Sequence, residues 1–431
     1  MREGADAEPD DLALPTSGYR TYEVYQRERV GDSITEFTPR QLLGDEMLTD
    51  PYRLLSIMRE QTPCYRDWVG NQFWITRYDD VTSIVADDAN FASRPKRWYA
   101  GMPDLGRDLN AELPVLWAQA NRIDAALEGI VDRIVADLDD GPDLALGFAA
   151  RLPLELWAAV LDLPRGDVVT FAARYWRMQR GATWDTEAQQ DGRRAADELV
   201  RYFEPLVAER RSHPGDDLIS VAATLDIDGG PICAADIVAT VFEADHEMLH
   251  GGLGNLWLQL LSHPDQLDVV RAEPRLLKFA WLEALRHSPP VHSALRFTRH
   301  EVERFGRLIP QGALVRCSAA AANRDPRVFG DPDAFVVERG DLCQREPRGQ
   351  YRADGLPSGI AFGFGRPSIH PAVPKDRPRS RYALVRDVAV TASQSLLARH
   401  PDIRLAAGST PSLRSLRLDG TYTCWHLPVV W

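Results

Sequence analysis

The sequence predicts a single large domain, mostly α-helical with a minor β part (α+β). Three observations carry this expectation. Apolar residues recur at helical spacing through most of residues 50–287. The pattern then breaks into short β-rich segments and becomes helical once more, from Leu384 to Leu397. No Gly-, Ser- or Pro-rich linker divides the chain, so residues 21–431 are read as one domain behind an acidic, polar tail over residues 1–20.

The elements follow in order. Asp50-Pro51 opens a helix whose Leu54, Leu55 and Met58 share a face. Residues 71–78 (NQFWITRY) form a β-rich run, and Val81, Ile84 and Val85 mark the next helix. Over residues 123–139, Ile123, Leu127, Ile130, Ile134 and Leu138 line a stripe at helical spacing. Helices are expected at 152–162, 166–178 and 186–211, and one long helix runs from Asp236 to Leu261, ending before His263-Pro264. A helix at 275–287 closes at Ser288-Pro289-Pro290, and short β segments follow to Cys317. Residues 403–431 alternate in short runs.

Composition excludes several classes. Hydrophobic residues make up 44% of 431 residues and charged residues 26%, which fits a globular chain and not a disordered one. No apolar run approaches the roughly 18 residues of a membrane helix. The N-terminus has no apolar core of a secretory signal. A formal charge of −13 argues against a nucleic-acid partner. The five cysteines, Cys64, Cys233, Cys317, Cys343 and Cys424, are scattered and form no CxxC pair. They are expected to be reduced thiols in a cytoplasmic protein.

Residues 276–339 carry a specific pattern. Glu283-Ala-Leu-Arg286 resembles the E-x-x-R helix of bacterial cytochromes P450. Arg296, after Pro289-Pro290, resembles the arginine that pairs with a haem propionate. Ala322-Asn323-Arg324-Asp325-Pro326 resembles the A-N-R-D-P signal of that family, and Phe335 and Arg339 resemble the segment that completes an ion network. Phe362-Gly363-Phe364-Gly365 resembles the start of the haem-binding loop. The resemblance runs from about Asp50 to the end and implies a P450-like fold. Glu283 and Arg286 lie three apart on one helix face, and Arg339 can share the carboxylate, so Glu283, Arg286 and Arg339 read as structural scaffold.

The chain departs from the family where its chemistry sits. The haem loop should offer a cysteine thiolate to iron. Here Pro367 stands at the usual histidine, Ile369 at the cysteine and Pro371 at the later glycine. In the long helix the family's A-G-x-[DE]-T reads Ala244-Asp245-His246-Glu247-Met248, and a thioether cannot donate a proton. Between Ser93 and Ile123 no H-x-x-x-R appears to hold the second propionate.

Three readings of the site follow. The pattern of losses resembles haem-deficient P450 homologues of actinobacterial natural-product pathways. That resemblance implies a pseudoenzyme without a cofactor, an auxiliary that binds and activates a glycosyltransferase. Alternatively, the chain is a haem-binding oxidoreductase, with His370 as an atypical ligand and Arg296, Phe362, Gly363 and Gly365 around the haem. The third reading is non-oxidative or metal-assisted chemistry. His246-Glu247-Met248-Leu249-His250 is an H-E-x-x-H, with two histidines one turn apart and Glu247 as the candidate catalytic acid or base. No third histidine follows at the metzincin position, where Leu256 stands. By helix geometry, 246 and 250 point away from 244 and 248, the side that the resemblance gives to haem. Glu243, Asp245 and Glu247 crowd acids into the same helix, which would raise at least one pKa if buried. Trp98, Trp117 and Trp176 are candidate interface anchors or core residues.

Overall fold

The apolar stripes of the sequence become the buried faces of helices in a computed structural model. It describes residues 36–85, 87–138, 143–183, 185–244, 246–342, 378–379, 381–415 and 421–431. The principal elements are α1 (Tyr52–Gln61), β1 (Cys64–Asp67), β2 (Gln72–Ile75), α2 (Tyr78–Val85), β3 (Phe91–Ala92), α3 (Leu113–Ala136), α4 (Arg151–Val160), α5 (Val168–Arg180), α6 (Thr186–Ser212), α7 (Ala234–Phe242), α8 (His246–Ser262), α9 (Pro264–Ala272), α10 (Leu277–His287), β4 (Ser293–Thr298), β5 (Leu314–Ser318), α11 (Arg381–Arg399), β6 (Leu413–Ser415) and β7 (Tyr422–Cys424). They fall into two compact units, each described by itself. The first holds residues up to Arg94 and Val291–Asp333; the second holds Pro95–Pro290 and the remaining described residues from Ala334 on.

The first unit is built on a five-stranded sheet in the order β1-β2-β5-β4-β3. Its pairs are antiparallel except β2 with β5, which run parallel with Gln72 opposite Leu314. Helix α2 buries Val81, Ile84 and Val85 in a core shared with Phe73, Ile75, Val315 and Cys317. Helix α1 buries Leu54, Leu55 and Met58 beside Tyr65 and Trp74. The Asn323–Pro326 segment ties the two helices together. The Asp325 carboxylate accepts the Tyr78 N–H at 3.1 Å, and the Arg324 guanidinium stacks 3.3 Å from the centre of the Tyr52 ring. A desolvated cation over an aromatic face is worth about 2 kcal/mol.

The second unit is helical. Helix α3 begins at Leu113, ten residues before the expected stripe, because Pro114 suits a helix's first turn and Val115 and Ala118 are buried there. The long helix expected from Asp236 to Leu261 is two helices, α7 ending at Phe242 and α8 starting at His246. Apolar periodicity runs on through the break, so hydrophobic pattern alone could not reveal it. The cause is polar, and it builds the site described below. Helix α8 is buried almost all round. Its glycines let neighbours approach: a Cβ on Gly251 would lie 2.6 Å from side-chain carbons of Pro290 and Thr421, and one on Gly254 would lie 2.6 Å from the Thr423 hydroxyl. Asn255 then joins α8 to β7, its amide donating to the Ser288 and Tyr422 carbonyls at 2.6 and 2.9 Å. No described helix is long and apolar enough to cross a membrane.

Candidate functional site

The interruption between α7 and α8 organises the site. Glu243, just past the end of α7, turns its carboxylate to the start of the short helix Lys96–Tyr99. There it accepts the backbone N–H groups of Lys96 at 2.8 Å and Arg97 at 2.9 Å, and the Arg97 guanidinium at 3.1 Å. Orphan N–H groups at a helix start are satisfied by such an acceptor. The Glu243 carbonyl, freed by the break, accepts Nη2 of Arg381 at 3.0 Å, from the first residue of α11. One turn on, Glu247 pairs with the Lys96 ammonium, which also donates to Gln179 and lies 5.1 Å from the centre of the Phe242 ring. Of the three acids expected to crowd together, Asp245 lies outside the described residues, and the other two have partners of opposite sign. Glu243 and Glu247 each meet a cation or an N–H donor supplied from residues 96 and 97. The basic run Arg94-Pro95-Lys96-Arg97 was the sequence signal for this pairing, and only its distance from the acids hid it.

The two histidines of α8 lie side by side, with ring centres 5.3 Å apart. Both are buried. Nδ1 of His246 is 2.8 Å from the Tyr175 hydroxyl, and the Trp176 ring stands edge-on to both imidazoles at 4.7 and 5.1 Å. Burial holds His246 well below the usual imidazole range, helped by His250 and Lys96 nearby. Burial alone pushes His250 down to about 4. The Tyr175 phenol is raised by burial first and then by the charge of Glu247, so it stays a neutral hydroxyl. Tyr175 escaped the sequence reading because a single tyrosine in a helical stripe carries no signal of its partner.

As a metal centre the H-E-x-x-H pair is incomplete among the described residues, where no group of three His, Cys, Asp or Glu side chains converges. Glu247 is committed to Lys96 and one His246 nitrogen to Tyr175. Beside His246 lies a cavity of about 80 Å³, lined by Ala244, Leu249, Trp157, Arg381 and Leu384 among others. At about 30 Å³ per molecule it has room for two or three waters. Ala244 and His246 both line it, so the helix break brings to one cavity two positions that an unbroken helix would separate more widely.

Glu283, Arg286 and Arg339 come together as a scaffold. Arg286 grips the Glu283 carboxylate through Nε and Nη2, both at 2.7 Å, and Arg339 Nε reaches the same carboxylate at 3.2 Å. Glu283 also accepts the Val336 N–H at 3.0 Å. The spare donors of the two arginines meet the Ala334 carbonyl at 2.9 and 3.0 Å. Glu283 and Arg286 are fully buried, so every polar atom here needs such a partner. Arg296, in the first unit on β4, is nearly buried and donates to the carbonyl of Leu295 at 3.0 Å. Phe362, Gly363, Gly365 and His370 lie outside the described residues.

A helix-rich chain with a minor sheet, an E-x-x-R–Arg network and the A-N-R-D-P segment defines the class. This chain belongs to the cytochrome P450 family, whose profile matches residues 272–366. It is 32% identical over 398 residues to cytochrome P450 107B1 of Saccharopolyspora erythraea, covering 84% of this chain and 91% of that protein. It is 30% identical to 6-deoxyerythronolide B hydroxylase of the same organism, over 77% of this chain and 87% of the hydroxylase. Among solved structures, ligand-free cytochrome P450 TbtJ1 superposes with a TM-score of 0.72 at 26% identity, covering 90% of this chain and 99% of that one.

Haem is the group this family implies, and the described donors do not fit its thiolate-ligated form. Cys317 lies within β5 and Cys424 within β7, and burial pushes their thiols up to about 12 and about 11. Cys64 is buried in the sheet and Cys233 is exposed just before α7. Cys343 lies outside the described residues, and the loop from Phe362 to Pro371 contains no cysteine at all.

Proposed function

We propose that this chain is a degenerate cytochrome P450 homologue with no haem-thiolate centre, a pseudoenzyme that serves as auxiliary partner of a glycosyltransferase in natural-product biosynthesis. One observation carries the loss of monooxygenase chemistry: Ile369 occupies the position of the iron-ligating cysteine. The neighbourhood of the long helix supports it. Met248 replaces the hydroxyl of the oxygen-activating motif, and Glu247, the acid beside it, is held by Lys96 rather than left to relay protons. The choice of a glycosyltransferase rests on the resemblance to haem-deficient homologues with the same losses. Co-expression with a candidate glycosyltransferase tests that choice. The expected result is a stable hetero-complex with raised transferase activity; separate elution and unchanged activity overturn it.

A second reading has a specific observation in its favour. The relatives are named cytochromes P450 and a hydroxylase, and the match spans most of each chain. On that reading the chain holds haem through a nitrogen ligand at His370, with Arg296 toward a propionate. His370→Ala then abolishes the Soret band of the haem-loaded protein. Metal-assisted chemistry at Glu247 with His246 and His250 has less support, since Lys96 and Tyr175 already engage two of the three groups.

A further inference from the structure

Helix α8 turns about 100° per residue, so His250 lies roughly 200° round the helix from Met248. On the His250 side is a second cavity, of about 460 Å³, within the span of about 300–1,000 Å³ usual for small-molecule pockets. Its walls include Leu146 in the helical turn Ala145–Ala149, Arg151 and Leu154 at the start of α4, Trp176 of α5, His250, and Trp425 just beyond β7. We propose that this cavity is a binding site for a small, largely apolar ring compound bearing a hydroxyl group, a phenol-like ligand anchored on His250.

Four observations fit that ligand and disfavour others. The His250 imidazole is held between two indole edges, Trp176 at 5.1 Å and 87° and Trp425 at 5.3 Å and 62°, so a polar group is fixed in an aromatic wall. Among the described residues its buried Nδ1 has no hydrogen-bond partner, although His250 is only 2% exposed. Such orphaned groups are rare in folded proteins and point to a missing partner. A neutral imidazole has one donor and one acceptor, and a hydroxyl can answer either one. Among the described residues that line it, the one cation, Arg151, is paired with Asp137 at 2.8 Å and Glu155 at 3.1 Å, which does not recommend an anion. Leu146, 61% exposed, stands at the mouth and gives access from solvent.

The test of this site reads no haem. Calorimetric titration of the full chain with 2-naphthol is expected to show one saturable site. Naphthalene, the same ring without the hydroxyl, is expected to bind at least tenfold more weakly. His250→Leu is expected to weaken 2-naphthol by at least tenfold, and Leu146→Trp, a surface change that fills the mouth, to abolish binding with unchanged circular dichroism and melting. Absence of saturable binding to the wild-type chain overturns the proposal. So does equal affinity for the two ring compounds, or wild-type affinity in the Leu146→Trp protein.

Discussion

His250 and Lys96 show how single side chains set the character of this site. His250 titrates near 6.5 when unfolded and at about 4 when folded, because burial disfavours the imidazolium. The neutral ring therefore contributes stability that is fully present above about pH 6.5. As pH falls the unfolded chain takes the proton first, and the contribution is lost as pH drops through about 4. The difference amounts to about 3 kcal/mol for this one group. His250→Phe is expected to flatten the decline in melting temperature between pH 6.5 and 4; an unchanged slope contradicts the assignment. Lys96 serves the opposite purpose, bringing a cation to Glu247. Lys96→Met and Glu247→Gln are each expected to cost about 1–3 kcal/mol, and the double variant to cost clearly less than their sum. Full additivity, measured by denaturant unfolding, would show that the pair does not interact.

The clearest element-scale feature is the ion network that α10 makes with the segment after Ala334. Glu283→Ala leaves two arginines at a buried site without their carboxylate and is expected to destabilise by about 3–5 kcal/mol. Unchanged thermal unfolding would show that Glu283 has no scaffold role. The Glu283–Arg286 half of this network was legible from its i,i+3 spacing, whereas Arg339, 56 residues further on, was legible only through the resemblance to the family's motif. The break between α7 and α8 was legible by neither route. Its determinants are Glu243, the N–H groups at Lys96 and Arg97, and Arg381, which lie about 140 residues apart on either side. Apolar periodicity reports which face of a helix is buried and is silent on a carboxylate that leaves the helix to cap another. Helix α3 began early for a related reason, its first turns being buried by small residues that make only a weak stripe. The His246–Tyr175 contact likewise depends on how α5 packs on α8, which no spacing encodes.

Over the whole molecule the family's scaffold persists while its chemical positions diverge. The E-x-x-R network and the Asn323–Pro326 segment make the contacts that hold the fold. On the proposed function, Ile369 and Met248 stand at the positions of iron ligation and oxygen activation, where the family's motifs carry other side chains. A fold that gives up a tightly held cofactor loses the stabilisation that binding supplies by mass action, and a partner that binds only the folded form supplies it in the same way. On the proposed function, co-expression with a candidate glycosyltransferase is therefore expected to raise this chain's melting temperature as well as the transferase's activity, through an interface of about 1,600 Å² or more. The most direct measurement is a haem titration of the purified chain, followed by absorption spectra after reduction and addition of carbon monoxide. The account predicts no Soret band that saturates at one haem per chain. A stoichiometric haem whose reduced carbon monoxide complex carries the thiolate signature would contradict it.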